Sequence, residues 1–394
     1  MKKVLIFFAA CCFISCLNIG EKKHITIKNN LTTDRRETVS ISGSQLVSLL
    51  KNNPSGAIVV KEESTGKIIL SQLIDNNGDG SPDELIFQAD FKALEKKKFT
   101  LLVSAEKVPA ISPEERTFSR LVPERIDDFA WENNRVAFRT YGPEAQRLVD
   151  ENQKGGTLSS GMDCWLKRVH YPIIDKWYKK YVDGGTYHKD SGEGYDPYHV
   201  GASRGCGGIG VWKNDSLYVS KNFTTAKIIA NGPIRTIFEL TYAAWFVDAI
   251  TVQEKKTISV DLGSQLSRYE VKLESVGGTL PNCTAGITLH DKKGEVNVNV
   301  PQGWFRHWEP IDDSELGTGI VANPSAIQSH LDYRTAKKDL SQLYIIMKPA
   351  TEYVYYAGFA WKKAGAITTA KDWDNYLDQY AKRLASPLEI VFEK

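Results

Sequence analysis

The sequence predicts an all-β protein, mainly antiparallel, folded as one two-layered β unit with loop insertions and a single C-terminal helix. Three observations support this prediction. Short segments with alternating apolar and polar residues recur along the chain, clusters of Asn, Pro and Gly separate them, and helical periodicity is confined to one late segment. The sequence contains no internal repeat, low-complexity tract or linker, so we expect one folded unit.

The first residues are typical of an export signal. Two lysines precede an apolar run from Val4 to Ile14 that is too short to span a bilayer, and a small residue follows before Cys16. Cys16 resembles the acylated cysteine of a bacterial lipobox, although an ordinary signal peptide that contains cysteines is the alternative. The predicted boundaries are a lipoprotein signal peptide at 1–16, a tether at 17–24 and a single β domain at 25–394.

Strand patterns occupy both halves of the chain. The predicted strands cover residues 25–27, 37–41, 57–60, 68–70, 84–89, 99–103, 136–139, 216–219, 226–230, 234–242, 250–261 and 266–273. Residues 144–161 are polar and contain Gly, which predicts a loop. Apolar residues at helical spacing predict a helix over 370–384, followed by a last strand at 388–392.

The composition excludes some functions and leaves others open. The 50 basic and 48 acidic side chains give a net charge of only +2, so no electrostatic footprint for nucleic acid is present. The nine Trp and 17 Tyr suit either sugar stacking or a large β core. The segment 304–308 contains two of these tryptophans and carries the same two alternatives. The folded part has three cysteines, so at least one thiol is free.

A loop rich in oxygen ligands lies between the predicted strands at 68–70 and 84–89. Its alternating ligands, with Gly80 at the turn, suit a structural Ca²⁺ ion, but Ile86 stands where a calcium loop has its bidentate Glu. A β-hairpin turn is the alternative. The predicted ligands are Asp75, Asn77, Asp79, Ser81 and Asp83.

Residues 161–210 are the candidate site region, because they combine His, Arg, Tyr, Trp and Gly without a packing period. On a strand, Arg168 and His170 would share one face, opposite Trp165 and Lys167. Farther along, the segment 187–208 concentrates acid, base and anion-binding groups. It matches neither a zinc signature nor a phosphate loop, and we expect no required cofactor.

Several long motifs resemble one family. These are RLVPERIDDFAWEN at 120–133, RTYGP at 139–143, the segment 187–208, the loop 75–87 and NGPIR at 231–235. Together they resemble a family of Bacteroidota envelope lipoproteins of formerly unknown function, over roughly residues 25–393. The resemblance implies a galactose-mutarotase-like β-supersandwich and similarity to the oligosaccharide dehydratases of ulvan breakdown.

Such a dehydratase removes the C4 substituent and the C5 proton of a non-reducing-end uronic acid. The chemistry needs a cation beside the carboxylate, a base for the C5 proton and an acid for the leaving oxygen. The predicted catalytic residues are His188, His170, Tyr198 and Arg204. The predicted substrate-binding residues are Arg168, Lys167, His199, Trp165, Tyr187 and Glu193.

The sequence therefore predicts a lyase or dehydratase that eliminates water, methanol or a sugar from uronic-acid-ended oligosaccharides. We expect an outer-membrane lipoprotein, facing the periplasm and held to the membrane by its lipid alone. Two alternatives remain open. One is a non-catalytic glycan-binding lipoprotein, and the other is a glycoside hydrolase with paired carboxylates among Asp127, Asp128, Asp190 and Glu193.

Overall fold

The computed structural model of the protein describes residues 22–51, 57–104, 109 and 115–393. The predicted signal peptide and Cys16 lie outside the described residues. The first described strand begins at Lys22, so it includes the last residues of the segment predicted as a tether. In the part of the chain that the structure describes, no helix has the length and apolar character needed to cross a membrane.

Antiparallel strands dominate the chain. In chain order they are β1 (Lys22–Lys28), β2 (Arg35–Ser42), β3 (Ala57–Glu62), β4 (Ile68–Ile69), β5 (Ser71–Ile74), β6 (Glu84–Phe91), β7 (Lys96–Ser104), β8 (Phe118–Val122), β9 (Asp128–Glu132), β10 (Ala137–Thr140), β11 (Asp163–Lys167), β12 (Gly194–Tyr195), β13 (Cys206–Lys213) and β14 (Ser216–Tyr218). The second half contains β15 (Phe223–Ala230), β16 (Arg235–Tyr242), β17 (Trp245–Val247), β18 (Ile250–Asp261), β19 (Leu266–Val276), β20 (Cys283–Thr288), β21 (Glu295–Asn299), β22 (Trp304–Ile311), β23 (Ser314–Ala322), β24 (Ile327–Tyr333), β25 (Gln342–Met347), β26 (Glu352–Trp361) and β27 (Glu389–Phe392).

Helices are few. The α-helices are α1 (Gly43–Lys51), α2 (Pro143–Asp150), α3 (Ile174–Val182) and α4 (Ala370–Ala385), and short 3-10 turns cover Pro123–Arg125, Pro324–Ala326 and Lys362–Ala364. The mainly antiparallel all-β prediction is confirmed, and α4 lies where the C-terminal helix was predicted. The prediction of a single helix is wrong, because α1, α2 and α3 are also present. The loop prediction for 144–161 is partly wrong, because α2 occupies its first half. In α2, Pro143 at the first turn favours helix initiation.

The described strands form five sheets. Their orders are β27-β1-β7-β3-β4; β2-β6-β5; β8-β9-β10-β11-β12; β14-β13-β20-β25-β24; and a nine-stranded sheet, β15-β16-β18-β19-β26-β23-β22-β21 with β17 paired to β18. The largest core fills the space between the nine-stranded sheet and the sheet around β20. Ile258 and Tyr355 come from the first sheet and Ile287 and Ile345 from the second, and all four are fully buried.

A separate hydrophobic core lies in the N-terminal part, between its two sheets and α1. The last strand, β27, pairs with β1 there, so the C-terminal end of the chain completes the N-terminal sheet. The pairing places residues more than 350 positions apart on neighbouring strands, such as Ile25 beside Phe392. This closure buries the edge that β1 would otherwise expose.

Helix α4 packs on the outer face of the nine-stranded sheet. A capping box between Thr369 and Asp372 starts the helix, and its apolar stripe places Trp373 and Leu377 in a fully buried cluster. The same cluster contains Trp304 and Trp308 of β22, which are 5% and 7% exposed. Of the two alternatives for segment 304–308, the structure therefore supports the β core.

Cys164, Cys206 and Cys283 are buried and free.

Candidate functional site

A cavity of about 550 Å³ opens where four loops meet beside β10. One loop follows β10, the second follows α2, the third joins α3 to β13, and the fourth joins β24 to β25. The lining residues are Arg139, Tyr141, Gly156, Thr157, Leu158, His188, Asp196, Pro197, Tyr198, His199, Val200, Gly201, Lys338 and Asp339. The predicted site region, 161–210, therefore supplies about half of this cavity wall.

Arg139 forms the floor of the cavity. It lies on β10 directly opposite Asp163 of β11, and its side chain is 6% exposed. Its Nε and Nη2 atoms donate to Asp163 Oδ2 at 2.9 and 2.6 Å, and Nη2 also donates to Asp196 Oδ2 at 2.9 Å. The Tyr187 hydroxyl accepts from Nη1 at 2.9 Å. All three guanidinium nitrogens are thus engaged by buried groups.

Three buried carboxyls surround this one arginine. Asp128 Oδ2 lies 3.6 Å from Arg139 Nη1, beside the two aspartates already described. Burial raises the pKa of Asp128 to about 6. Burial also raises the pKa of Asp196 well above its ordinary value, and the neighbouring charge of Asp163 raises it further. Asp196 Oδ1 has no hydrogen-bond partner among the described residues. Asp196 therefore holds its proton to a higher pH than an exposed aspartate does.

His188 lies at the mouth of the cavity with its side chain 54% exposed. Its Nδ1 atom lies 2.9 Å from the carbonyl oxygen of Asp196. Because a carbonyl oxygen only accepts, Nδ1 carries the hydrogen, and the neutral imidazole then has its lone pair on Nε2. The geometry therefore prepares Nε2 of His188 to accept a proton.

Two phenols line the same cavity. Tyr141 follows β10, and its hydroxyl donates to Asp163 Oδ2 at 3.3 Å. Tyr198 is 5% exposed, and its buried hydroxyl has no partner among the described residues. Burial raises the pKa of both phenols well above the ordinary value. Both therefore keep their protons at neutral pH. The Tyr141 proton is donated to Asp163, whereas the Tyr198 proton has no acceptor among the described residues.

A second imidazole lies on the opposite loop wall. His199 Nε2 is 3.2 Å from Asp339 Oδ1, which links the third loop to the fourth. Gly201 makes this approach possible, because a Cβ atom there would lie 2.1 Å from Asp339 Oδ2 and 2.8 Å from His199 Nε2. Its φ of +50° is also one that favours glycine.

The structure brings three predicted site residues to the cavity, namely His188, Tyr198 and His199. Two others lie beneath its floor. Trp165 is fully buried and Tyr187 is 2% exposed, and the Arg139 guanidinium lies 5.1 and 5.5 Å from their ring centroids. Neither ring is accessible to a sugar. They hold Arg139 through cation–π contacts instead.

The remaining predicted residues do not line the cavity. His170 is exposed and hydrogen-bonds to the Asn134 carbonyl oxygen through Nδ1 at 3.2 Å, and Arg168 pairs with Asp190 at 2.9 Å. The other three are held by structural partners. Lys167 is fully buried against Glu132, Glu193 binds Lys176 and Tyr171, and Arg204 is 2% exposed and donates to Ser160.

This placement does not favour Arg204 or Arg168 as the substrate clamp. Arg204 lies within the β core, where burial lowers its pKa to about 10, and Arg168 is occupied by a carboxylate outside the cavity. Neither guanidinium lines the cavity of His188. Lys167 is likewise a core cation whose partners include the Asn133 and Tyr171 carbonyl oxygens.

The loop predicted to bind calcium forms a compact turn. Asp75 accepts hydrogen bonds from the amides of Gly78 and Gly80, and Asp83 accepts from those of Asn76 and Asn77. These contacts are the backbone hydrogen bonds typical of Asp-rich turns. Among the described residues, no group of three or more His, Cys, Asp or Glu is placed to hold a metal ion. The structural calcium ion remains a prediction.

The centre of the site, Arg139 with Asp163 and Asp196, was not among the predicted site residues, and neither were Tyr141, Lys338 and Asp339. Part of this set could have been found from the sequence. Arg139 and Tyr141 belong to the RTYGP motif, and Asp163 and Asp196 stand inside segments already singled out. A charged residue within a strand that is otherwise apolar indicates a buried polar partner. Nothing local marks the pair Lys338 and Asp339.

Comparisons with known proteins agree with the family prediction. Protein P7 of Formosa agariphila, described as uncharacterized, is 43% identical over 401 residues that cover both chains completely. This supports membership in a family of unknown function. The resemblance to ulvan oligosaccharide dehydratases stays a prediction.

Solved structures show a similar fold. A protein in glycosyl hydrolase family 38 from Enterococcus faecalis aligns with a TM-score of 0.51 at 9% identity, covering 95% of this chain and 47% of that chain. An alpha-mannosidase from the same species aligns with a TM-score of 0.47 at 9% identity, over 95% and 46%. The chain thus spans about half the length of these solved chains. The family model for the "Domain of unknown function (DUF4861)" matches residues 27–390, and the chain belongs to that family.

Proposed function

We propose that the protein is a carbon–oxygen lyase that eliminates the C4 substituent from a non-reducing-end uronic acid of an oligosaccharide. The observation that supports this most is the pairing, in one cavity, of a free imidazole nitrogen on His188 with the protonated phenol of Tyr198. A β-elimination needs a base and an acid of these types. Similarity in fold to a family 38 glycosyl hydrolase supports a carbohydrate ligand, and we propose that the chain has the galactose-mutarotase-like form of the β-sandwich.

In the proposed reaction, His188 Nε2 removes the C5 proton and the electron pair forms the C4–C5 double bond. The C4–O bond breaks, and the departing oxygen receives a proton from the phenol of Tyr198, or of Tyr141 in the same cavity. The products are the 4,5-unsaturated uronate and water, methanol or a sugar. The imidazolium then loses its proton to solvent and the phenolate takes up a proton from solvent, so both groups are restored.

The substrate carboxylate must be neutralised while the C5 proton leaves, because a charged carboxylate resists the extra electron density. We propose that Asp196 meets this demand in place of Arg204. A protonated carboxyl with a free Oδ1 atom can donate a hydrogen bond to the substrate carboxylate, while Arg139 stabilises the site from below. Lys338 adds positive charge at the cavity wall.

The same cluster argues against the hydrolase alternative. Paired catalytic carboxyls need the sugar between them, but Asp163 and Asp196 both bind Arg139 Nη2, so the guanidinium occupies the space between their bound oxygens. Asp190 and Glu193 are held by Arg168 and Lys176. A glycan-binding role without turnover would leave the free His188 nitrogen without a task.

Asp196→Asn tests the protonated carboxyl. A raised pKa means that wild-type Asp196 is neutral below that pKa and loses its proton as the pH rises through it, so activity should fall on the alkaline side. Asparagine stays neutral, so we expect the alkaline limb of the pH profile of kcat/KM to shift upward or disappear. Asp190→Asn, outside the cavity, should leave the profile unchanged. An alkaline limb retained in Asp196→Asn would refute the role.

Gly201→Ala tests the wall formed by His199 and Asp339. The new methyl group would displace both side chains, and we expect kcat/KM for elimination to fall roughly 10–100-fold, as for other small misplacements near a site. Gly192→Ala is the matched control, because Gly192 also has a positive φ of +103° but has no heavy atom within 4 Å of its added Cβ. Equal losses in both variants would assign the effect to backbone strain alone.

We also propose that the protein is anchored through an acylated Cys16 to the outer membrane, with the folded part in the periplasm. This rests on the pattern of residues 1–16. Cys16→Ala should release the protein from the membrane fraction into the soluble periplasmic fraction of the expressing cell. Equal membrane association of both forms would contradict the anchor.

A further inference from the structure

A second cleft of about 320 Å³ lies between the N-terminal sheets, the nine-stranded sheet and α4. Arg36 of β2 borders it on one side, and Arg268 of β19 and Tyr356 of β26 on another. Helix α4 contributes two tyrosines and Arg383. None of these residues lines the cavity of His188, so the cleft is a separate concave surface.

One wall of the cleft is aromatic. The ring centroids of Tyr356 and Tyr380 are 5.1 Å apart, and those of Tyr376 and Tyr380 are 6.1 Å apart. The amide of Gln265 donates to the Tyr376 hydroxyl at 2.9 Å, which fixes the position of that ring. Adjacent rings of this kind present an amphipathic surface on which the apolar face of a sugar can stack.

The cleft also has more cations than its own carboxylates neutralise. Its lining includes four arginines, Arg36, Arg235, Arg268 and Arg383, and two carboxylates, Glu37 and Asp261, so the formal balance is +2. Burial raises the pKa of Glu37, which weakens the negative contribution of that side chain. The surplus therefore favours an anionic ligand.

Arg36 and Arg383 are the two arginines that supply this surplus of positive charge. The other two have close carboxylate partners, because Arg235 is bound by Asp261 at 2.5 Å and Arg268 pairs with Glu270. Arg36 is 64% exposed, and the Asp90 carboxylate is 4.0 Å from it. Among the described residues, no carboxylate lies within 4.0 Å of the Arg383 guanidinium. It lies 5.2 Å from the Tyr380 ring centroid and donates to the Arg36 carbonyl oxygen at 3.4 Å.

We propose that this cleft is a second saccharide-binding site, selective for an anionic sugar. The sugar packs against the tyrosine-lined wall beside Tyr356, and the guanidinium groups of Arg36 and Arg383 bind its carboxylate or sulfate group. Arginine suits both anions because its planar fork donates two parallel hydrogen bonds. The site holds acidic glycan apart from the cavity of His188 and takes no part in bond breaking.

The test uses the mature chain with His188→Ala, so that no ligand is consumed. Isothermal titration calorimetry is performed with three hexasaccharides of matched length: one of glucuronic acid, one sulfated galactan and one neutral galactan. We expect both acidic probes to bind more tightly than the neutral probe. Raising the salt concentration should weaken the acidic probes selectively.

The decisive variant is Arg36→Gln with Arg383→Gln. We expect at least a tenfold loss of affinity for the acidic probes at one site, with no change for the neutral probe. The matched control is Lys179→Gln with Lys180→Gln, which removes the same charge from exposed positions on α3 and should change nothing. Arg36→Glu alone reverses one charge on an exposed strand position and provides a second test if the double variant folds poorly.

The outcomes separate the cleft from the proposed catalysis. With His188 intact, the double arginine variant should still eliminate from a short uronic-acid disaccharide. Unchanged binding of both acidic probes to the double arginine variant, or equal losses in the lysine control, would overturn the cleft proposal and leave the elimination untouched. Sensitivity of only the carboxylated or only the sulfated probe identifies which anion the site accepts.

Discussion

His188→Ala is expected to lower kcat for elimination from uronic-acid-ended oligosaccharides by about 10²–10⁴-fold, the usual contribution of a general acid or base. The Nδ1 atom of His188 donates its hydrogen to the Asp196 carbonyl oxygen, so the lone pair of the neutral imidazole is on Nε2, which can accept a proton. The measurement is the rise in ultraviolet absorbance from the new C4–C5 double bond. KM should change little, because the side chain is at the cavity mouth.

His170→Ala is the control that makes this result specific. His170 was also among the predicted catalytic residues, but it lies outside the cavity, so its loss should leave kcat near the wild-type value. Equal losses in both variants would contradict the proposed base.

Three further outcomes distinguish the lyase from the two alternative functions. Binding without turnover in the wild type would support a glycan-binding protein. Saturated products that are insensitive to His188→Ala would support a hydrolase. Loss of the absorbance rise in His188→Ala would support the lyase.

Arg139→Ala is expected to lower the free energy of unfolding by about 3–5 kcal/mol, the range for removing one partner of a buried ion pair. Asp163 and Asp196 would keep their burial but lose the guanidinium that binds them. Urea denaturation with the intact chain measures this change. Because protonation neutralises carboxyls that have lost their cation, the destabilisation should shrink as the pH is lowered.

The control for this variant is Arg147→Ala. Arg147 lies on the exposed face of α2, where its partners are Glu144 and Glu151, and surface pairs of this kind contribute little. We expect no measurable change in its unfolding midpoint. Arg139→Lys should fall between wild type and Arg139→Ala, since a lysine keeps the charge but cannot reach Asp163, Asp196 and Tyr187 together. A stable Arg139→Ala at neutral pH would show that the three carboxyls do not need their cation.

Much of the fold was predictable because strand and helix periodicity are local properties. The alternation over 250–261 predicted β18 to the residue, and the helical spacing of Trp373, Tyr376 and Leu377 predicted α4. Helix α3 was missed although Ile174, Trp177 and Tyr178 recur at helical spacing, because residues 161–210 were treated as one region without a packing period. The division of the strands among five sheets also could not be derived, because β27 pairs with β1 across almost the whole chain.

The candidate site was predictable as a region but not as a set of contacts. The concentration of His, Tyr and Gly in 187–208 identified the segment, and His188, Tyr198 and His199 do meet in the cavity. The sequence favoured His188 as the base or acid, with His170 as a possible partner, but it could not show which imidazole reaches the cavity. Only the path of the loop, anchored where the Asp196 amide donates to the Tyr187 carbonyl oxygen, decides which imidazole faces the cavity.

The sequence by itself therefore determined the all-β class, the C-terminal helix and the region of the site, since these depend on residue type and short-range spacing. Tertiary structure alone decided the roles of the arginines. Arg204 is buried because Ser160 and Gln342, distant in sequence, close around it, whereas Arg139 reaches the cavity because β-register sets Asp163 opposite it. Burial and charge pairing arise from long-range contacts, and these contacts turn similar residues into a core cation or a site cation.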